Sequence, residues 1–296
     1  MTYAAFRSIG AYIPPRIMSN ADFEKIIDTT DEWITKRTGI KERRLAEKDE
    51  APSDLGTKAA EVAISRAGIN KEDIDLIICA TVTPDFLCMP STACLIASKL
   101  NLPNIMAFDV SAACTGFVYI LGIAKAFIES GMKKNVLIIG AEKYSSILNY
   151  EDRTTCFIFG DGAGAAIISA TNDKSEAIID VQCSSDGTYE DLIKTAGGGS
   201  KNPCSQEVLD SKMACISMKG NETFKLAVKT LTSDVVKMLE KHGLSNKDIT
   251  HFIPHQANYR IIKAVGEALN INDEQTVVTV DKYGNTSAAS IPMAMN

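Results

Sequence analysis

Three nearly continuous apolar runs, DLIICATV (75–82), IMAFDV (105–110) and NVLIIGAE (135–142), constrain the fold more than any other feature of this chain. A strand that is apolar on both faces must be covered on both faces, which is how strands sit inside α/β sheets. Helix patterns separate the runs: TACLIASKLN lies between the first two and GFVYILGIAKAFIESG between the second and third. LGTKAAEVAISRAG precedes them, with Ala and Val on one face and a stop at Gly68. Strand followed by helix, repeated, predicts parallel strands covered by helices. Ahead of this block, MTYAAFRSIGAYIPP reads as a strand ended by Pro14-Pro15. SNADFEKIID opens with a weak capping-box signal, Ser19 and Asp22. TDEWITKRTG reads as a short helix stopped by Gly39.

The pattern changes over residues 150–215. AGAAIISA and EAIIDVQC read as strands, and a glycine-rich loop, TAGGGSKNPCSQ, follows. The alternation then resumes with the long helix NETFKLAVKTLTSDVVKMLEKHG, the strand ITHFIPH, the helix NYRIIKAVGEALN and the strand TVVTV. The expectation is two similar α/β halves, 1–171 and 172–296, sharing one body without a low-complexity linker.

Bulk properties exclude several function classes. With 31 Lys and Arg against 37 Asp and Glu the net charge is −6, which argues against bulk nucleic-acid binding. No run reaches the ~18 apolar residues of a membrane span. The start lacks a basic region before a long apolar core, so no signal peptide is expected and a cytoplasmic location is. The eight cysteines include no C-x-x-C pair, so neither a zinc site nor a thioredoxin-like site is expected. In a reducing compartment most of them are small hydrophobes.

Three reactive-type residues share one kind of position. Ligands in α/β folds gather at the carboxyl ends of strands. Cys114 follows IMAFDV and precedes the helix beginning near Gly116, His255 ends ITHFIPH, and Asn285 follows TVVTVDKYG and precedes SAAS. They stand 141 and 30 residues apart, so only a fold that gathers strand ends brings them together. A Cys at a helix N-terminus feels the positive end of the dipole, which predicts a lowered thiol pKa. Backbone N–H groups there also suit an oxyanion. His255 can stabilise a thiolate or donate to a carbonyl oxygen, and Asn285 can donate without titrating. On spacing alone each also has a plain reading: a core thiol, a satisfied strand-end histidine, a turn residue in YGNTS. The other histidines are weaker candidates. His242 sits at a helix end, and His251 lies four residues before His255 and farther from the strand end.

AACTGFVY around Cys114, PHQAN around His255 and YGNTSAAS around Asn285 resemble the three active-site motifs of the β-ketoacyl-[acyl-carrier-protein] synthase III family. IFGDGAGA (158–165) and DEWITKRTGI (31–40) are similar to further segments of that family, so the resemblance is co-linear along nearly the whole chain. It implies a thiolase-like fold of two similar halves in a five-layered αβαβα arrangement, and a homodimer. It implies a catalytic set of Cys114, His255 and Asn285. An acyl-CoA primer, acetyl-CoA or another short acyl-CoA, would acylate Cys114. Malonyl-acyl carrier protein would then lose carbon dioxide to give an enolate, held by His255 and Asn285, that attacks the acyl group. The CoA thioester is a substrate, and no cofactor or metal is implied.

By the same resemblance, Trp33, Arg37, Arg153 and Asn258 would hold CoA or its pantetheine arm. An indole and a guanidinium suit stacking on a base, although KRTGIKERR also reads as a solvated basic surface. Lys225, Arg260 and Lys263 would form a basic patch for the acidic carrier protein. Phe86, in TPDFLCMPS, would limit acyl length from across the dimer. GDGAGA also fits a G-x-G-x-x-A dinucleotide fingerprint with Asp180 roughly the required ~20 residues onward, but that fingerprint needs a helix next and AAIISA reads as a strand. The family pattern continues beyond IPMAMN with two strands and a glycine-rich loop, so the expectation is a sheet without those C-terminal strands. Competing readings are a same-fold acyltransferase of secondary metabolism, a thiol hydrolase using the same Cys and His, and an inactive fragment.

Overall fold

The structure, a computed structural model, describes residues 1–296. Its strands are β1 (Tyr3–Tyr12), β2 (Arg16–Ser19), β3 (Glu42–Leu45), β4 (Leu76–Ala80), β5 (Met106–Val110), β6 (Asn135–Lys143), β7 (Asp161–Thr171), β8 (Ile193–Thr195) and β9 (Ile216–Met218). Its helices are α1 (Asn20–Phe23), α2 (Asp31–Thr38), α3 (Pro52–Ala67), α4 (Thr92–Lys99), α5 (Gly116–Glu129), α6 (Gln206–Asp210), α7 (Gly220–Lys241), α8 (Tyr259–Leu269), α9 (Val280–Tyr283) and α10 (Ser290–Met295). No helix is long and apolar enough to cross a membrane.

Five strands form the central sheet in the order β1-β7-β6-β4-β5. β4 runs parallel to both β5 and β6, but β7 is antiparallel to β6 and to β1. The sheet is therefore mixed rather than wholly parallel. The cause lies in the connections. α4 and α5 carry the chain over the sheet before β5 and β6, whereas residues 144–160 hold only a short 3-10 turn and loops, and a strand reached without a crossover returns antiparallel.

Two of the three apolar runs, β4 and β6, are buried on both faces, whereas β5, at the edge of the sheet, is only partly buried and leaves Met106 exposed, contrary to the expectation from its composition. All five residues of β4 are buried. Ile77 and Cys79 pack with Leu55, Ala59 and Ile96 beneath α3 and α4. Leu76, Ile78 and Ala80 pack with Phe117, Ile120 and Ala124 of α5 on the other face. The side-chain period of two along a strand divides one sequence between two cores. Helix stops also fall where the sequence places them: Gly39 and Gly68 end α2 and α3 in the left-handed region, at φ 76° and 65°.

The second half departs from expectation. ITHFIPH and TVVTV meet at a single parallel bridge, Phe252 with Thr276, and EAIIDVQC touches β1 at one bridge, Ala177 with Ala5. A strand exists as part of a ladder, and with one bridge each these segments stay extended without becoming strands. Their neighbours hold them instead. α7 and α8 pack through Phe224, Val228 and Leu231 against Ile261, Val265 and Leu269. AGAAIISA, by contrast, is strand β7, so GDGAGA lacks the helix a dinucleotide site needs. Its glycines serve close packing: a Cβ at Gly164 would lie 2.7 Å from Pro292.

The turn at Ser287–Ala289 lies directly on β6. A Cβ on Gly140 would sit 2.3 Å from the Ala288 carbonyl oxygen, a distance no Cβ contact tolerates. Gly140→Ala is expected to lower stability by ~1–3 kcal/mol, the usual cost of overpacking, read as a shifted urea midpoint.

Candidate active site

Cys114 occupies a 3-10 turn, Ala113–Thr115, between the end of β5 and the start of α5. Ala113 before it has φ 45°, a left-handed conformation that costs a non-glycine residue about 1–2 kcal/mol. The turn is held by close packing. A Cβ on Gly116 would lie 2.8 Å from the Ala80 Cβ and 3.2 Å from the Ala288 Cβ, so glycine lets β4, α5 and the Ser287–Ala289 turn converge on the cysteine. Ser287 has the same strained sign, φ 49°.

The segment from Asn285 to Ser290 gathers the other two candidates. Asn285 is buried, and its backbone bridges Phe159: its N–H donates to the Ile158 carbonyl at 2.9 Å, and its carbonyl accepts from Gly160 at 3.0 Å. Its Oδ1 accepts from the Ser287 N–H at 2.9 Å. That bond fixes the amide orientation and leaves Nδ2 as a donor. His255 is partly buried, with Nδ1 2.6 Å from Ser290 Oγ. Ser290 Oγ also accepts from the Gln256 N–H at 3.3 Å. In the tautomer in which the Ser290 hydroxyl donates to Nδ1, the ring proton is on Nε2. Nε2 is buried and has no partner in the protein. The structure thus joins Cys114, His255 and Asn285 to one short segment, with two donor nitrogens on Asn285 and His255 left for another molecule.

The electrostatics differ from the expectation in one respect. Burial pushes the Cys114 thiol up to about 11 rather than down. The Ser287 hydroxyl and a backbone N–H act against burial, and the Glu142 carboxylate adds to it. The α5 dipole also favours thiolate but acts from a single helix end, whereas desolvation takes the whole anion out of water. Burial lowers His255 to about 4, so it is neutral in the physiological range.

Trp33, Arg37 and Arg153 lie together. The Arg37 guanidinium lies 4.4 Å and that of Arg153 5.3 Å from the Trp33 ring centroid. Phe157 meets the indole edge-on at 5.5 Å, and Arg153 also pairs with Asp28 at 2.9 Å. Behind this cluster, fully buried Arg43 donates to the Phe157 and Met18 carbonyls and to Asn20 Oδ1, fastening α1, β2 and β3 to the loop after Cys156. Asn258 has a structural task. Its Oδ1 caps α8 by accepting from the Arg260 N–H at 2.8 Å, and its Nδ2 donates to the Arg37 carbonyl at 3.2 Å. Lys225, Arg260 and Lys263 lie exposed on α7 and α8. Arg260 stacks over Phe224 at 5.2 Å, and Lys263 lies 3.9 Å from Glu267. Phe86 is exposed beside Leu87 and Met89. His242 is taken by Asp180 at 2.9 Å, and His251 is exposed.

Sequence reasoning missed Ser290, Ser287 and Glu142. Ser290 and Ser287 lie inside YGNTSAAS, but nothing local ties a serine to a histidine 35 residues away. Glu142 carried a signal, an acid ending an otherwise apolar strand.

Because His255 has a depressed pKa in the fold, the unfolded chain binds more protons between about 4 and 6.5. Its contribution to stability is complete above pH 6.5 and is lost as pH falls toward 4. Urea unfolding of His255→Gln should therefore show a shallower loss of stability across this window than the parent chain.

Comparison with known proteins agrees with this geometry. Residues 108–187 match the family model described as 3-oxoacyl-[acyl-carrier-protein] synthase III, and residues 239–296 match its C-terminal counterpart. The chain is 84% identical over 296 residues to the β-ketoacyl-[acyl-carrier-protein] synthase III of Aliarcobacter butzleri, covering all of this chain and 89% of that relative. The crystal structure of 3-oxoacyl-[acyl-carrier-protein] synthase III from Aquifex aeolicus superposes with a TM-score of 0.90 at 45% identity, over 99% of this chain and 89% of that one. A priming β-ketosynthase of the R1128 polyketide pathway superposes with a TM-score of 0.87 at 32% identity, over 99% and 86% of the two chains. The fold is accordingly an α/β, thiolase-like one, and the chain belongs to the β-ketoacyl-[acyl-carrier-protein] synthase III family.

Proposed function

We propose that this chain is a condensing acyltransferase that joins an acyl-CoA primer, acetyl-CoA or another short acyl-CoA, to malonyl-acyl carrier protein, giving a 3-oxoacyl-acyl carrier protein at the start of fatty-acid synthesis. One observation carries the reading of the site. Asn285 Nδ2 and His255 Nε2 make no hydrogen bond within the protein; Asn285 belongs to the segment packed on the Cys114 turn, and His255 is bound to that segment through Ser290 Oγ.

The chemistry follows from those groups. Cys114 loses its proton and attacks the primer carbonyl, the carbon–sulfur bond to CoA breaks, and the acyl group rests on Cys114. The malonyl thioester then loses carbon dioxide, and the electron pair moves onto its carbonyl oxygen as an enolate. No carbon-bound proton is removed, so the site needs donors rather than a base. Two neutral donors, the Asn285 amide and the His255 ring, suit an oxyanion in a site where burial already keeps His255 uncharged. The enolate carbon attacks the acyl carbonyl, and Cys114 leaves as thiolate. Hydrolysis would instead need a base to activate water, which this donor pair does not supply.

Several finer features follow from the same reading. Trp33, Arg37 and Arg153 offer an aromatic plane and two guanidinium groups to the CoA nucleotide. Asn258 acts by positioning that cluster. Lys225, Arg260 and Lys263 offer three cations on α7 and α8 to the acidic carrier protein. The CoA thioester is the substrate and no cofactor is called for. We read residues 1–171 and 172–296 as the two halves of a five-layered αβαβα body. β5 is an edge strand of the sheet, and Phe86, Leu87, Met89 and Met106 are exposed. An open edge and apolar side chains on one chain fit a homodimer, with Phe86 reaching the partner's acyl site. All eight cysteines are unpaired, which fits a reducing cytoplasm.

Intact mass measurement after mixing with acetyl-CoA should find one acetyl group on the parent chain and none on Cys114→Ala. A parent chain that stays unmodified would overturn the acyl-enzyme. Asn285→Ala should still take the acetyl group but release carbon dioxide from malonyl-acyl carrier protein ~10²–10³ times more slowly, the usual cost of one oxyanion donor.

A further inference from the structure

Ser290 opens α10 and is buried, and its hydroxyl oxygen has two hydrogen-bond neighbours. One is His255 Nδ1 at 2.6 Å, the other the Gln256 N–H at 3.3 Å. Only the first can accept a proton, because the second is itself a donor. That asymmetry decides the arrangement. If Nδ1 carried the ring proton, it would donate to Ser290 Oγ, and the hydroxyl proton would be left buried without an acceptor, a state that folded proteins avoid. If Nε2 carries it, the hydroxyl donates to Nδ1 while Oγ accepts from Gln256, and the Ser290 proton is satisfied. Nε2 has no partner within the protein in either case, so it does not alter this balance.

Gln256 keeps this arrangement in register. It is buried, and its side chain uses its full hydrogen-bonding capacity. Its Nε2 donates to the Pro254 and Val277 carbonyls at 2.8 and 3.0 Å, and its Oε1 accepts from the Thr279 and Val280 N–H groups at 2.8 and 3.2 Å. The segments it joins, 249–255 and 276–280, share a single bridge, Phe252 with Thr276, so this amide does beside the imidazole what a strand ladder would do. The backbone N–H of the same residue is thereby held toward Ser290 Oγ. Ser290 itself lies two residues beyond the Ala288 carbonyl that rests on Gly140. The hydroxyl and the loop it meets are both fixed by the fold.

We infer that Ser290 is a positioning residue for the condensation: its hydroxyl donates to His255 Nδ1 and so commits Nε2 to donating a hydrogen bond rather than accepting one. The consequence rests on the condensing role proposed above. An enolate oxygen needs a donor, and a bare Nε2 lone pair would repel it. A bare Nε2 would also be a base able to take a proton from water, which is the group that hydrolysis of an acyl-Cys114 thioester requires. Ser290 therefore favours condensation over hydrolysis, and it does so through the imidazole alone. Burial keeps His255 uncharged near neutral pH, so the ring has one proton to place, and the second nitrogen's partner sets where it goes.

The chain has three histidines, so the ring nitrogens can be read directly. Long-range ¹H–¹⁵N correlation spectra of the full chain labelled with ¹⁵N-histidine, assigned by the signals lost in His255→Gln, should show near neutral pH a protonated Nε2 and an unprotonated Nδ1. A His255 ring protonated on Nδ1, or on both nitrogens, overturns the inference with no further variant needed. In Ser290→Ala, Cys114 should take the acetyl group from acetyl-CoA to the parental extent, while carbon dioxide release from malonyl-acyl carrier protein falls ~tenfold, the scale of one lost hydrogen bond. Ser290→Thr, which keeps the hydroxyl, should recover most of that loss. Carbon dioxide release at the parental rate in Ser290→Ala removes the positioning role. So does an equal loss of acetylation and carbon dioxide release, which is what a merely structural serine would produce. A parent chain that takes no acetyl group defeats the condensing role and leaves the tautomer result standing by itself.

Discussion

Everything at this site depends on one backbone contact, the Ala288 carbonyl laid against Gly140 in the middle of the sheet. No side chain intervenes, so the Ser287–Ala289 turn sits as close to β6 as backbone can. From that contact the chain extends both ways, to Asn285 on one side and Ser290 on the other. Asn285 is fixed by its bridge to Phe159 and by its own Ser287 N–H bond, and Ser290 holds His255. Gly116 makes the corresponding allowance on the nucleophile side. Two strained non-glycine residues, Ala113 and Ser287, persist because these close contacts over-determine the backbone around them.

Much of the first half was legible because its signals are local. The apolar, β-branched runs of β4 and β6 are buried as their composition demands, while IMAFDV, placed at the sheet edge as β5, is only partly covered; left-handed glycines end α2 and α3 where the residue type allows. Strand direction was less legible, because it depends on how residues 144–160 return to the sheet rather than on the strands' own composition. The segments at 249–255 and 276–280 have strand-like sequences but only one bridge between them, and a ladder cannot be read from one of its sides. At the site, only Cys114 stands at a strand end, after β5; His255 and Asn285 follow extended segments that do not form strands, and the charge state of Cys114 was not legible either. A helix N-terminus can be found in sequence, whereas the desolvation that outweighs it belongs to the packed structure. Ser287 and Ser290 escaped notice for the same reason: their partners are distant in sequence.

The two ends of the site solve different electrostatic problems. Around Trp33 the charges are exposed and cationic, suited to a solvated phosphate-bearing substrate. Around Cys114 and His255 they are buried and kept near neutrality, so that charge appears only where reaction creates it. Arg43 is a buried guanidinium satisfied by carbonyls and an amide oxygen rather than by a carboxylate.

Asn258 gives these two ends a mechanical relation. Its amide caps α8, three residues after His255, and also grips the Arg37 carbonyl, while Gly39 leaves no room for a Cβ against Tyr259. The helix end that carries Arg37 and the start of the helix that follows the His255 loop are therefore joined through one side chain and one close backbone packing, so the outer cluster and the inner donor share a single point of attachment.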